Sequence, residues 1–115
     1  MTTTTESDPN NISPHEPGAK LDSGKLQAGL LEDFSLALTA VAEVAHYGAL
    51  KYSVGGWQHV NEGILRYNNA AWRHRLKKRY EELDESGLSH EAMELWNLLA
   101  VVELKLRKKL EERSR

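Results

Sequence analysis

SHEAMELWNLLAVVELKLRKKLEE, residues 89–112, decides the fold class. Ser89 is placed to cap a helix, because a serine oxygen accepts the backbone N–H groups that the first turn leaves unpaired. Glu91 suits the positive end of that helix, and the basic tail KLRKKLEERSR suits its negative end. Ala92, Leu95, Leu99, Val102, Leu106 and Leu110 recur at helical spacing as a main stripe. Leu98, Val101 and Leu104 widen the apolar surface, and such width predicts burial on two sides, within a bundle or against another subunit.

Two more helical patterns precede it. From Leu30 towards Tyr52, the residues Leu31, Phe34, Leu38, Val41 and Ala45 form one stripe, and Gly55-Gly56 ends it. A second helix is expected from about Glu62 to Leu83, with Leu65, Trp72, Leu76 and Tyr80 on one face. Tyr67, Ala71 and His74 lie nearly opposite, so this helix is expected to touch two partners. Asp84-Glu85-Ser86-Gly87-Leu88 reads as the turn before Ser89. No strand pattern and no internal repeat stands out. The fold class is therefore all-α: a small helical bundle of three long helices, completed by oligomerisation because three helices barely close a core at this size.

Working outward, residues 1–17 are rich in Thr, Ser, Asn and Pro, and read as a disordered arm. Residues 18–115 read as a single all-α domain. The 115-residue chain carries 15 Lys plus Arg against 17 Asp plus Glu, a formal charge of -2, which does not fit a nucleic-acid-coating protein. It contains no cysteine, which excludes disulfides, thiolate metal sites and thiol nucleophiles. No apolar run is long enough to span a bilayer and no secretory signal is visible, so a cytoplasmic location without membrane partners is expected.

Charge is segregated. Arg66, Arg73, Arg75, Lys77, Lys78 and Arg79 are followed by Glu81, Glu82, Asp84, Glu85, Glu91 and Glu94. Most such residues are solvated helix faces. A few of them are enough for a nucleoside triphosphate, which needs carboxylates for a divalent cation and basic groups for its phosphates.

His90, Glu94 and Asn97 share one face of the last helix, and that face continues into Val101 and Leu104. Polar groups that precede apolar ones on an inward surface can bind a cation, activate water or read a base. The plainer alternative is a His at a helix start, an exposed Glu and a structural Asn. His74 gains interest only if Asp84 or His90 approaches it. Glu43 and His46 could face the same cleft or form the polar side of the first helix. Tyr47, Tyr52 and Trp57, beside glycine breaks, form either a base-stacking platform or the lid of a small core. The segment from Gly18 to Lys25 is not a phosphate loop, since its glycines are too far apart and Leu26 stands where Ser or Thr is needed. Lys20 and Lys25 could still reach an anion.

The blocks GAKLDSGKLQAGLL, HYGALKYSVGGWQHV, RYNNAAWRHRLK and LDESGLSHEAMELWNLLAVVEL, in this order over about residues 18–104, resemble a family of small phage proteins. This is the dATP/dGTP diphosphohydrolase N-terminal domain family, grouped loosely with MazG-like nucleotide pyrophosphohydrolases. The resemblance implies an all-α fold and divalent-metal-dependent hydrolysis of (deoxy)purine nucleoside triphosphates to monophosphate and pyrophosphate. The family's pattern falls on Lys20, Asp22, Gly24 and Lys25, then on Tyr47, Gly48, Lys51, Tyr52 and Trp57. It continues on Arg66, Tyr67 and His74, and ends on Asp84, Ser86, Gly87, His90 and Asn97. Ser89 replaces a common proline, and Met93 replaces a frequent second His.

The resemblance and the charge pattern together nominate Glu43, Asp84, His90 and Glu94 as ligands of Mg²⁺ or Mn²⁺. His90, Asp84, Glu94 and His74 are the expected catalytic groups. Lys25, Lys51 and Arg66 would hold phosphates, while Tyr47, Tyr52, Trp57 and Asn97 would hold the rest of the nucleotide. Two alternatives stand beside the enzyme: a non-catalytic phage protein that sequesters a nucleotide, and a helical protein-interaction module.

Overall fold

The computed structural model describes residues 6–115. Its three α-helices are α1 (Ser35–Lys51), α2 (Gly63–Lys77) and α3 (His90–Arg113), with short 3-10 segments at Ala28–Phe34 and Gly56–His59. Among the described residues the only β pairing is an isolated antiparallel bridge between Leu83 and Ser89. The all-α expectation holds. No helix of the described residues is long and apolar enough to cross a membrane.

The chain divides into two compact units, one up to Asp33 and one from Phe34 to Arg115. Residues 18–33, expected with the helices, thus cluster with the residues before them. Of the arm expected over 1–17, residues 1–5 lie outside the described residues. Residues 6–17 carry turns, and Asp8 accepts hydrogen bonds from the backbone N–H groups of Asn10 and Lys20, both at 2.7 Å. In the same unit Lys25 pairs with Glu6 at 3.1 Å.

In the second unit α3 packs against both α2 and α1. Ser89 caps α3 as its chemistry predicts, its hydroxyl accepting from the Ala92 N–H at 3.0 Å. Helix α2 stops at Lys77, short of the expected Leu83, because its last carbonyls are taken by a tightening turn. The Lys78 N–H bonds to the His74 carbonyl at 3.0 Å, and the Arg79 N–H to the Leu76 carbonyl at 3.4 Å.

The inward faces differ from the apolar stripes. On α2 the structure buries Gly63 and Ala71, and leaves Leu65, Trp72 and Leu76 exposed. Small residues line this contact: a Cβ at Gly63 would lie 3.2 Å from Leu104 Cδ1, so α2 and α3 approach closely along that face. On α3 the buried residues are His90, Met93, Glu94, Asn97, Ala100 and Val101, while Leu95, Leu99, Val102, Leu106 and Leu110 stay exposed. With Val41 and Val44 of α1, the apolar core is small. Half of the residues that α3 buries are polar.

Candidate functional site

Three elements bring His74, Asp84 and His90 together. His74 leaves α2 on the face it shares with Tyr67 and Ala71. His90 opens α3, where its backbone N–H bonds to the Glu82 carbonyl at 3.0 Å. Asp84 sits in the intervening turn. Its Oδ1 accepts from the Ser86 N–H at 2.9 Å, and its carbonyl accepts from the Gly87 N–H at 2.9 Å. Gly87 has φ +87, a conformation that side chains rarely tolerate, so the turn that presents Asp84 depends on that glycine. One ligand atom from each of these three residues lies within 4.8 Å of the others.

The two rings meet with Nδ1 of His74 2.9 Å from Nδ1 of His90. His90 is 1% exposed. Its other nitrogen, Nε2, lies 3.2 Å from Glu81 Oε1. Burial, and then the neighbouring His90, hold His74 below the ordinary histidine value. The Ser86 backbone hydrogen bond holds Asp84 below the ordinary carboxylate value. A neutral imidazole beside an ionised carboxylate is the protonation state that metal ligands require.

Next to this trio lies a cavity of about 750 Å³. It gathers Tyr47, Lys51, Tyr52, Trp57, Arg66 and Asn97 from the sequence-based set, with His74 in its wall. Arg73 adds a third cation, and among the described residues no carboxylate lines it. Lys51 is held above its ordinary value, first through Tyr52, with a small contribution from the Asp84 charge. Trp57, Tyr67 and Trp96 pack edge to face, with centroids 5.6–6.3 Å apart. The Tyr67 hydroxyl donates to the Trp57 carbonyl at 2.7 Å. Arg107 lies over the Trp57 ring at 5.5 Å and donates to Gln58 at 2.6 Å.

Glu43 and Glu94 do not join the trio. Glu43 is exposed on α1. Glu94 is buried but engaged, accepting from Lys78 at 2.7 Å and Arg75 at 3.2 Å. Burial works to raise its carboxyl, yet those two cations outweigh it and hold the group below its ordinary value. Lys25 belongs to the other compact unit. Sequence reasoning missed Glu81, Arg73 and Trp96 as parts of the site. Arg73 and Glu81 were visible only as members of the basic and acidic runs.

These features define an all-α protein with a polar site in its interior, rather than a helical scaffold around a dry core. Residues 15–114 match the family described as dATP/dGTP diphosphohydrolase, N-terminal, and the chain belongs to that family. The family's name points to a nucleotide diphosphohydrolase. No curated protein and no solved structure matches the chain.

Proposed function

We propose that this domain hydrolyses purine deoxynucleoside triphosphates to monophosphate and pyrophosphate, with a divalent cation held by His74, Asp84 and His90. The observation that carries the reading is the carboxylate-free basic cavity that shares His74 with the trio. The ligand types suit a first-row ion, and the two imidazoles already stand at the spacing of adjacent ligands. Metal–ligand bonds of about 2.1 Å at right angles leave adjacent ligand atoms about 3.0 Å apart, and the two Nδ1 atoms stand 2.9 Å apart. Two imidazoles favour Mn²⁺ over Mg²⁺, which prefers all-oxygen shells. When bound, such an ion neutralises phosphate oxygens and acidifies a coordinated water.

The chain's own groups do the rest. Lys51, Arg66 and Arg73 bind and orient the phosphates in the cavity. Tyr47, Tyr52 and Trp57 offer ring faces to the base. Asn97 donates through Nδ2 to the Met93 carbonyl at 2.8 Å, which leaves its Oδ1 to accept an amino hydrogen from adenine or guanine. The exposed leucines of α3 complete the reading with self-association of the chain.

Incubation with dATP or dGTP and Mn²⁺ should release pyrophosphate, and the His90→Ala variant should not. Calorimetry that detects no nucleotide binding would overturn the proposal. One observation favours a second reading, sequestration without turnover: buried Met93 lines the cavity, and a thioether there supplies neither a proton-transfer group nor a hard-cation ligand. Tight nucleotide binding with no pyrophosphate release would select it.

A further inference from the structure

We propose that Glu81 is a positioning residue for His90, acting as the outer carboxylate that holds the ring for metal binding. This rests on the metal reading above and extends it to a group outside the trio. A carboxylate only accepts hydrogen bonds, so its contact with Nε2 places the imidazole hydrogen there. A neutral ring carries one such hydrogen, so the Nδ1 lone pair of His90 is then left facing Nδ1 of His74, which donates its hydrogen to it until a metal takes that place. Metal-ligating histidines commonly donate their second nitrogen to a carboxylate, which fixes the tautomer and raises the ring's basicity.

The placement of Glu81 is built into the fold. Its backbone N–H bonds to the Lys77 carbonyl at 2.9 Å, which ties it to the end of α2. The Leu83–Ser89 bridge and the bond from His90 N–H to the Glu82 carbonyl lay this segment along the start of α3. The Glu81 side chain is itself 50% exposed, so packing does not require it. Its one buried partner is the nitrogen of His90 that points away from the trio.

The test uses the full chain and Mn²⁺ alone as probe. Glu81→Ala should weaken Mn²⁺ binding, measured by calorimetry, by about 10–100-fold. Glu81→Gln keeps an acceptor without the charge and should recover part of that loss, while Glu82→Ala should bind as the parent does. Nitrogen NMR of the metal-free protein gives a readout independent of activity, taken on variants whose circular dichroism and melting show them folded. His90 should carry its hydrogen on Nε2 in the parent and lose that preference in Glu81→Ala. Unchanged Mn²⁺ affinity and an unchanged tautomer in Glu81→Ala would overturn the proposal. A parent that binds no Mn²⁺ would overturn the metal reading instead, and the tautomer measurement alone would then decide whether Glu81 orients the ring.

Discussion

Replacing Glu94 separates a cation ligand from a structural clamp. Its carboxylate is 8% exposed and joins the end of α2 to α3, through Lys78 at 2.7 Å and Arg75 at 3.2 Å. Breaking a fully buried ion pair costs about 3–5 kcal/mol. Here the side chains of Lys78 and Arg75 are 31% and 59% exposed, so both regain water when the carboxylate is removed. That lowers the expected cost of Glu94→Ala to about 2–3 kcal/mol. Glu94→Gln retains an acceptor and should cost about 1–2 kcal/mol. For a unit of roughly 80 residues the unfolding entropy is about 170 cal/mol/K, so the alanine variant should melt about 12–18 °C below the parent. Calorimetric melting checks this, and Mn²⁺ titration of the same variant at a temperature where it is folded should give the parent's affinity. A variant that melts within about 4 °C of the parent but no longer binds Mn²⁺ would refute the reasoning and return Glu94 to the cation site.

Acidification should destabilise the protein in two stages. His74 is held below its ordinary value of 6.5, so the unfolded chain takes up its proton more readily than the folded one. Its contribution is complete above that value and is lost as pH falls below it. Asp84 and Glu94 are held below their ordinary values of 3.8 and 4.5, so their contributions are lost at lower pH, as pH falls through their folded values. A melting temperature that rises on going from neutral to mildly acidic pH would contradict the first stage, and one that rises on further acidification through the carboxylate range would contradict the second. Arg73→Ala should weaken dATP binding about 5-fold, with less effect in high salt and no change in melting temperature. Binding isotherms at two salt concentrations measure it. Sedimentation should find the chain heavier than its 13.0 kDa monomer. Leu99→Glu with Leu106→Glu, at positions 48% and 52% exposed, should return it to that mass.

The local features of this fold were legible in the sequence and the non-local ones were not. Ser89 as a cap, Gly87 in a turn and the inward run His90–Glu94–Asn97–Val101 are each decided within a few residues, so spacing and side-chain chemistry are enough to find them. The choice of inward face on α2 is decided elsewhere. Counting apolar residues favours Leu65, Trp72 and Leu76, but α2 meets α3 along the side that carries Gly63 and Ala71, where small residues let the backbones approach closely. The same choice carries Tyr67 and His74 inward, because they share that face. The trio is therefore a consequence of helix packing: His74 and His90 are sixteen residues apart, and no periodicity links them. Asp84 joins them because the turn that reverses the chain between α2 and α3 is the turn its own carboxylate stabilises. Packing α2 the other way, with its large apolar side chains inward, would bury more apolar surface and dismantle the site. A domain with so small an apolar core and so many exposed leucines has the residues for the drier arrangement. Its sequence instead places glycine and alanine where the polar site requires the helices to close.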